Sequence, residues 1–344
     1  MISIDGSYGE GGGQILRTAV SLSILTNIPV SITNIRENRS NPGIKPQHYT
    51  ALSLLKQLSN ATTEGLEIGS SHLSFKPGTF VSGRYQFDVG TAGSLPLICQ
   101  TVLPLALHIA EPLEVSLRGG TDVKWSPSWD YFTQVFLPLV QQCGLQVDTT
   151  LVRRGYYPKG GGDILLRIDP CHKLQGILYD KPAEYHIVNG KVHLGMLPDH
   201  VGKRMAHQAI KGLLKEDLQA DISIDSQDTL SPGTGLTLWS RSDNGIVGCC
   251  VFGEMGVSAE TVAQQAVSEL INDISVGSSL DEHLFDQILM YLVLAKGQSV
   301  VLVRSLSSHA RTTMCLLEKF YPEKTLFSME QQNDLVHLKI QGIG

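Results

Sequence analysis

The sequence predicts a mixed α/β (α+β) fold built from three repeated two-helix, small-sheet units, with a smaller α/β domain inserted late in the chain. Three observations carry this expectation. A strand, glycine loop and apolar helix occur in succession at Asp5–Leu25, return at Asp88–Leu107, and recur in outline after Leu117-Arg-Gly-Gly-Thr-Asp122. A second glycine triad, Gly160–Gly162, marks off the strands that follow. Residues 183–276 then form one α/β passage whose ends lie at the turn-rich stretches Asp180-Lys-Pro182 and Val276-Gly-Ser-Ser279. The expected division is a main catalytic domain of 1–182 plus 277–344 and an inserted domain of 183–276.

The opening unit has a short apolar lead, Ile2–Ile4, a loop with glycines at 6, 9, 11, 12 and 13, and the helical pattern Ile15, Leu16, Ala19, Val20, Leu22, Leu25. Such a loop lets backbone N–H groups converge on an anion, and the helix dipole adds favourable potential there. Glycine allows a bulky polyanion to approach the backbone closely. The loop is neither G-x-x-x-x-G-K-[ST] nor a clean G-x-G-x-x-G, and taken alone it equally describes a tight turn without ligand. Glu10, inside it, suits a divalent metal better than bare phosphate, which it would repel. Arg17, expected on the first turn of the helix, offers a guanidinium for bidentate phosphate contacts.

The remaining elements follow in order. Residues 28–35 alternate as a strand. They lead into a loop with Arg36, Arg39, Lys45 and His48 and little acid, which is either a solvated basic loop or a second part of an anion site. A helix is expected over Gln47–Leu58, strands near 66–68, 72–75 and 84–89, a helix over Leu97–Leu107 and another near 129–143. Arg153, Arg154 and Lys159 flank the second glycine triad. The insert reads as strand 185–195, helix 200–215, strands near 220–225 and 235–253, and helix 258–273, with Glu254 and Glu260 as surface acids.

Asp281 is placed as an N-cap for a helix whose buried stripe is Leu284, Ile288, Tyr291 and Ala295. His283, Asp286 and Gln287 share a different face, suited to reading a base or ribose, or equally to facing solvent. In the last unit a strand from Ser299 runs to His309, and a helix follows over Ala310–Phe320. There the positive end of the helix dipole disfavours imidazolium. His309 is then a neutral nucleophile or, on position alone, a simple cap.

The composition, 42% hydrophobic and 17% charged over 344 residues, is that of an ordinary globular protein with a full core. No apolar run is long enough to span a bilayer, and no basic start with an apolar core precedes the first strand, so a cytoplasmic location is expected. The six cysteines are scattered with no C-x-x-C pair, which argues against a zinc site or a disulfide framework. A net charge of −6 argues against broad affinity for nucleic acid but leaves room for a local basic groove.

Together these stretches resemble the RNA 3′-terminal phosphate cyclase family. The resemblance rests on Gly9-Glu-Gly-Gly-Gly-Gln-Ile-Leu-Arg17, Arg36…Arg39…Pro42-Gly…Gln47-His48, Gly93-Ser94 with Gln100, Gly119-Gly-Thr-Asp122, Tyr157-Pro-Lys-Gly-Gly-Gly162, His283-Leu-Phe-Asp-Gln287 and Ser307-Ser-His309, all in family order. It implies repeats like the C-terminal domain of translation initiation factor three, interrupted by the insert. It also implies ATP-dependent conversion of an RNA 3′-phosphate to a 2′,3′-cyclic phosphate through a covalent histidine–AMP at His309. By the same resemblance Glu10 binds Mg²⁺ or Mn²⁺. Gln100 and the stretch His283, Leu284, Phe285, Asp286 and Gln287 bind ATP at its adenosine end, and Arg17, Arg36, Arg39 and Gln47 hold phosphates of ATP or RNA. RNA and ATP are the expected partners, with no membrane and no obligate protein partner; oligomeric state is left open. One departure stands out: Thr312-Thr313 occupies a place where family members often carry Thr-Asn. Two other classes remain in view, a non-catalytic ribosome-assembly relative lacking the histidine and an enolpyruvyl transferase on a related repeat scaffold.

Overall fold

The computed structural model describes all 344 residues, arranged as four small sheets and the helices that cover them. The first unit contains β1 (Ile2–Asp5), α1 (Gly13–Thr26), β2 (Val30–Thr33), α2 (Pro46–Leu58), β3 (Thr62–Glu64) and β4 (Leu73–Lys76). Its sheet has the order β1-β2-β4-β3, with β1 and β2 parallel and β4 antiparallel to both neighbours. α1 ends where Asn27 takes a left-handed conformation (φ 54°) and its N–H returns to the last carbonyls. Pro46 opens α2, where a missing N–H removes nothing from the helix.

The second unit repeats this plan. β5 (Arg84–Asp88), α3 (Leu95–Val102) and β6 (Leu113–Gly119) lead into a helix of three consecutive segments, α4 (Trp129–Tyr131), a wider-wound turn (Phe132–Phe136) and α5 (Leu137–Gln142). β7 (Val147–Arg153) and β8 (Gly162–Ile168) complete a sheet ordered β5-β6-β8-β7, again with one parallel and two antiparallel pairings. Both helices depart from regular winding at a proline. Pro104 cannot donate to the carbonyl four residues back, so α3 stops at Val102 and continues as a 3₁₀ turn over Leu103–Leu107. Pro138 likewise leaves the Gln134 carbonyl free, and Arg241 donates to it at 2.7 Å.

Next come β9 (Ile187–Gly195), α6 (Asp199–Leu214), β10 (Gln219–Gln227), β11 (Gly233–Ser242), β12 (Gly245–Phe252) and α7 (Ala259–Ile274). Their sheet runs β10-β9-β11-β12, and α6 and α7 pack together over it. A hydrophobic core of 21 buried residues lies here, distinct from a 72-residue core that fills the rest of the chain and takes in Trp239 and Ile246 from β11 and β12. The chain enters and leaves side by side: the Ala183 N–H donates to the Gly277 carbonyl at 2.9 Å.

The third unit holds α8 (Glu282–Leu294), β13 (Gln298–Val303), α9 (Ser308–Phe320), β14 (Phe327–Gln332) and β15 (Leu335–Gln341), with sheet order β13-β15-β14. In place of a first strand, the extended stretch 174–179 touches this sheet through isolated bridges. Bridges Gln175–Lys296 and Leu178–Val300 run parallel to β13, and the Val300 N–H donates to the Ile177 carbonyl at 2.8 Å. The fold is thus a mixed α+β assembly of small sheets with no barrel. No helix is long and apolar enough to cross a membrane.

Two sequence expectations are corrected. Residues 66–68 form turns, because Gly65 (φ 74°) and Gly69 (φ 89°) bend the chain on either side; the paired strands are β3 and β4. The expected single strand at 235–253 is a hairpin, reversed between Ser242 and Gly245.

The second unit and the insert meet over a buried ionic network. Arg154, 1% exposed, reaches Asp122 Oδ2 (3.1 Å), Asp130 Oδ2 (2.8 Å) and, from the insert, Asp225 Oδ2 (2.9 Å). Beside it the Tyr156 hydroxyl shares a hydrogen bond with His193 Nδ1 at 2.8 Å. Burial works against the charge on Arg154, but the three carboxylates outweigh it and hold the guanidinium firmly protonated. Removing it strands carboxylates in the interior, which costs about 3–5 kcal/mol. Arg154→Ala should therefore lower the free energy of unfolding in urea by about that amount. Arg204→Ala, which breaks the exposed pair with Glu260, should leave the midpoint nearly unchanged.

Candidate active site

The site forms where the glycine loop of the first unit meets the start of α9 in the third. Ser307 caps α9, its Oγ accepting the Ala310 N–H at 2.9 Å. Ser308 and His309 then occupy the first helical turn, where backbone amides point outward without intrahelical partners. α1 and α8 both pack on α9 and fix its start. The loop approaches so closely that a Cβ on Gly9 would lie 2.5 Å from Thr312 Oγ1, and one on Gly13 would lie 2.0 Å from His48 Nε2. Gly9 and Gly11 also take left-handed φ values of 60° and 57°, which a side chain would strain.

This fit brings Glu10 to His309. Glu10 Oε2 lies 3.4 Å from His309 Nε2 and 3.1 Å from Arg39, and Oε1 accepts a hydrogen bond from the Ser308 hydroxyl. Those contacts, led by Ser308, hold the Glu10 carboxyl below its ordinary range, so it is ionised. The His309 pKa is lowered, first by burial and then by Arg17 and Arg39, against an upward pull from Glu10. Its imidazole is neutral near pH 7. Behind it the Gln14 side chain donates to Thr313 Oγ1 at 2.9 Å and to the His309 carbonyl at 3.4 Å. Thr313 thus serves to hold Gln14 across from α1.

Arg17 and Arg36 make no ion pair with any carboxylate. Arg17 sits on the second turn of α1, since the helix begins at Gly13; this corrects the expected first-turn position. Burial and the neighbouring Arg36 lower its pKa to about 10, which leaves it charged at neutral pH. The buried Arg36 Nε has no hydrogen-bond partner. His48 accepts the Lys45 N–H at Nδ1 (3.3 Å), and burial, Arg17, Arg36 and Lys45 push its pKa down to about 3. Cations are therefore gathered around one cleft, with Glu10 against Arg39 and Asp286 near enough to Arg17 to favour its charge. An anion bridging Arg17 and Arg36 would relieve their repulsion.

On the far side Gln100 Nε2 donates to Gln287 Oε1, which joins α3 to α8. Asp286 accepts from the Ser307 hydroxyl at 3.3 Å, and burial raises its carboxyl to about 7. Gln100, His283, Asp286 and Gln287 therefore line one path toward His309. Leu284 and Phe285 do not: both are fully buried, and α8 turns their side chains into the core. Gln47 is committed at its carbonyl end, accepting the Ser94 N–H at 3.0 Å. The other cluster of metal-ligand type, Asp122, Asp130 and His193, is the Arg154 network, where a guanidinium already supplies the countercharge.

The comparisons with known proteins agree on one family. The model for RNA 3′-terminal phosphate cyclase matches residues 8–326. The chain belongs to the RNA 3′-terminal phosphate cyclase family. It is 39% identical to the Pyrobaculum aerophilum protein of that name over 345 residues, covering 100% of this chain and 99% of the relative. A Nitrosospira multiformis relative of the same name is 40% identical, covering 98% of this chain and 96% of its own length. One from Methanopyrus kandleri is 42% identical, with 94% of each chain covered.

Sequence reasoning did not assign Ser308 or Gln14, whose parts depend on contacts between units, and it named His48 only as a member of the basic loop, without its seat on Gly13. Ser308 beside the histidine and Gln14 beside the triglycine were the available signals.

The folded state binds protons at His48 and His309 less well than an unfolded chain does. Acidification below the ordinary histidine value of about 6.5 therefore favours unfolding, and the loss at His48 continues down to about 3. Urea unfolding measured between pH 7 and pH 5 should show falling stability, and His48→Gln should flatten that slope. In wild-type protein the His309 ring should titrate below its ordinary value by NMR, and lower still in Glu10→Gln, which removes an upward pull.

Proposed function

We propose that this chain converts an RNA 3′-terminal phosphate to a 2′,3′-cyclic phosphate at the expense of ATP, through a covalent adenylate on His309. The observation that carries this reading is a neutral imidazole at the open N-terminal turn of α9, beside arginines that lack carboxylate partners. In the first step the lone pair of the neutral His309 imidazole attacks the α-phosphorus of ATP. The bond to the β-phosphate bridging oxygen breaks, and pyrophosphate leaves. AMP then passes from nitrogen to an oxygen of the RNA 3′-phosphate, freeing His309. The vicinal 2′-hydroxyl attacks that phosphorus, AMP departs, and the ring closes. Covalent catalysis divides one difficult displacement into easier ones, and the last step is intramolecular.

Arg17, Arg36 and Arg39 with the α9 N-terminus suit the phosphates, where the developing charge falls. Gln100, Gln287, Asp286 and His283 suit the adenosine end. An Asp286 carboxyl near its midpoint at pH 7 offers a donor as well as an acceptor to a base. With its carbonyl end engaged by Ser94, Gln47 has its amide N–H₂ left for the RNA phosphate. Glu10, accessible and ionised, is the residue that would hold a divalent metal together with phosphate and water oxygens. Mg²⁺ or Mn²⁺ bound there would neutralise charge on the transferred phosphoryl group. All six cysteines are unpaired, which suits a reducing cytoplasmic setting.

Incubation with α-labelled ATP and Mg²⁺, without RNA, followed by denaturation, should leave label on the polypeptide. The label should be lost in acid, survive alkali and map to His309. His309→Ala should take none. An intact wild-type chain that binds ATP yet stays unlabelled, or a His309→Ala chain that still cyclises RNA, would overturn the mechanism.

A further inference from the structure

We propose that Trp125 and Tyr157 are stacking platforms for the nucleobases just upstream of the RNA 3′ end, which extends the substrate reading above. Two of the three tryptophans, Trp129 and Trp239, are buried, but Trp125 is 96% exposed, and Tyr157 is 77% exposed. Trp125 also holds a left-handed φ of 61°, unusual for a bulky residue and sustained only where the surroundings fix the loop. Here they do. Asp122 Oδ1 accepts the Trp129 N–H at 3.1 Å, Ser126 Oγ donates to the Val123 carbonyl at 2.8 Å, and Lys124 pairs with Glu254 of the insert.

The loop of Tyr157 is held equally firmly. Arg153 Nε donates to the Gly161 carbonyl at 2.8 Å, and the Lys159 N–H donates to Ser231 Oγ of the insert at 3.2 Å. The two loops join at their bases, where the Thr121 N–H meets the Gly155 carbonyl at 2.9 Å. Both rings thus project from braced loops at the seam between the second unit and the insert.

These loops are continuous with the active site. A Cβ on Gly120 would lie 2.4 Å from the Ala92 carbonyl, and one on Gly160 would lie 2.7 Å from that of Thr91. Gly93, on the same short loop, abuts Gln47, with 2.9 Å from its would-be Cβ to Gln47 Cβ. Gln47 precedes His48, which is seated on Gly13. Packing contacts therefore run from the loop of Gly13 and His48, beside His309, to the bases of the two aromatic loops. Lys159, exposed and without an ion-pair partner, lies two residues from Tyr157 on the same loop and offers a cation for a backbone phosphate.

Stacking suits this reaction. The reacting groups are a phosphate and a ribose hydroxyl, so bases behind them need to be gripped without being distinguished, and every base offers a π face.

The test is fluorescence polarisation of a 5′-labelled pentaribonucleotide carrying a 3′-phosphate. The full chain is compared with Trp125→Ala, Tyr157→Ala and the rescue variants Trp125→Phe and Tyr157→Phe. Each alanine variant should raise Kd about 5- to 100-fold, with phenylalanine restoring most of it. Affinity for adenosine 3′-monophosphate, which has no upstream base, should not move. Pentamer affinities within two-fold of wild type in both alanine variants would overturn the proposal and leave the patch to a protein partner. Equal losses for the mononucleotide would overturn it too, since the change would then lie in the site itself. Binding is read without AMP transfer, so failure of the histidine–adenylate mechanism remains a separate result.

Discussion

The site depends on how closely the glycine loop of the first unit presses on the start of α9. There is no space for a Cβ at Gly9 or Gly13, whose neighbours are Thr312 and His48. That contact closes a separation of almost the whole chain, joining Glu10 to Ser308 and His309. Gln14 reaches across the same junction to Thr313. A side chain at Gly9 would displace the Thr312 hydroxyl from its place on α9, and one at Gly13 would drive the His48 ring of α2 outward. The loop's glycines therefore serve packing between units as much as approach of a ligand. This also accounts for Thr313: a hydroxyl that receives Gln14 performs a docking task, and the imidazole is oriented by the helix start and by Glu10.

Electrostatics in the cleft run against folding. Arg17 and Arg36 face one another without a carboxylate between them, and their joint field with burial keeps His48 neutral. Asp286 is buried enough to hold its proton to about 7. Each of these groups is displaced toward its uncharged form, as expected where a site is organised for a ligand rather than for its own stability. A polyphosphate would convert the arginine repulsion into attraction. A cleft already desolvated in this way makes each ion pair with that ligand stronger than it would be in water.

Much of this was legible from local pattern. The helices, the alternating strands and the return of the strand–glycine–helix motif are properties of short stretches, and the motif order pointed to the family. The failures have particular causes. Gly65 and Gly69 moved the third strand because left-handed turns override a short apolar run. Pro104 divided one helical pattern into two kinds of helix. The Arg154 network was invisible because its members are drawn from 122, 130, 154 and 225, and no local pattern links them.

The place of the insert follows from the third sheet. Residues 174–179 bridge to β13 just before the insert, so the chain leaves the sheet there and returns to it through α8. The entry and exit segments are side by side at Ala183 and Gly277. Asp281 then fixes the orientation. It caps α8 while accepting the Tyr131 hydroxyl (2.7 Å) and the Gly248 N–H (2.9 Å), so three parts of the chain share one carboxylate. With Arg154 securing the opposite edge, the insert has little freedom to rock. Its loop at Leu230 and Ser231 lies against Gly161 and Lys159, so the insert braces the second glycine triad from outside the unit that carries it.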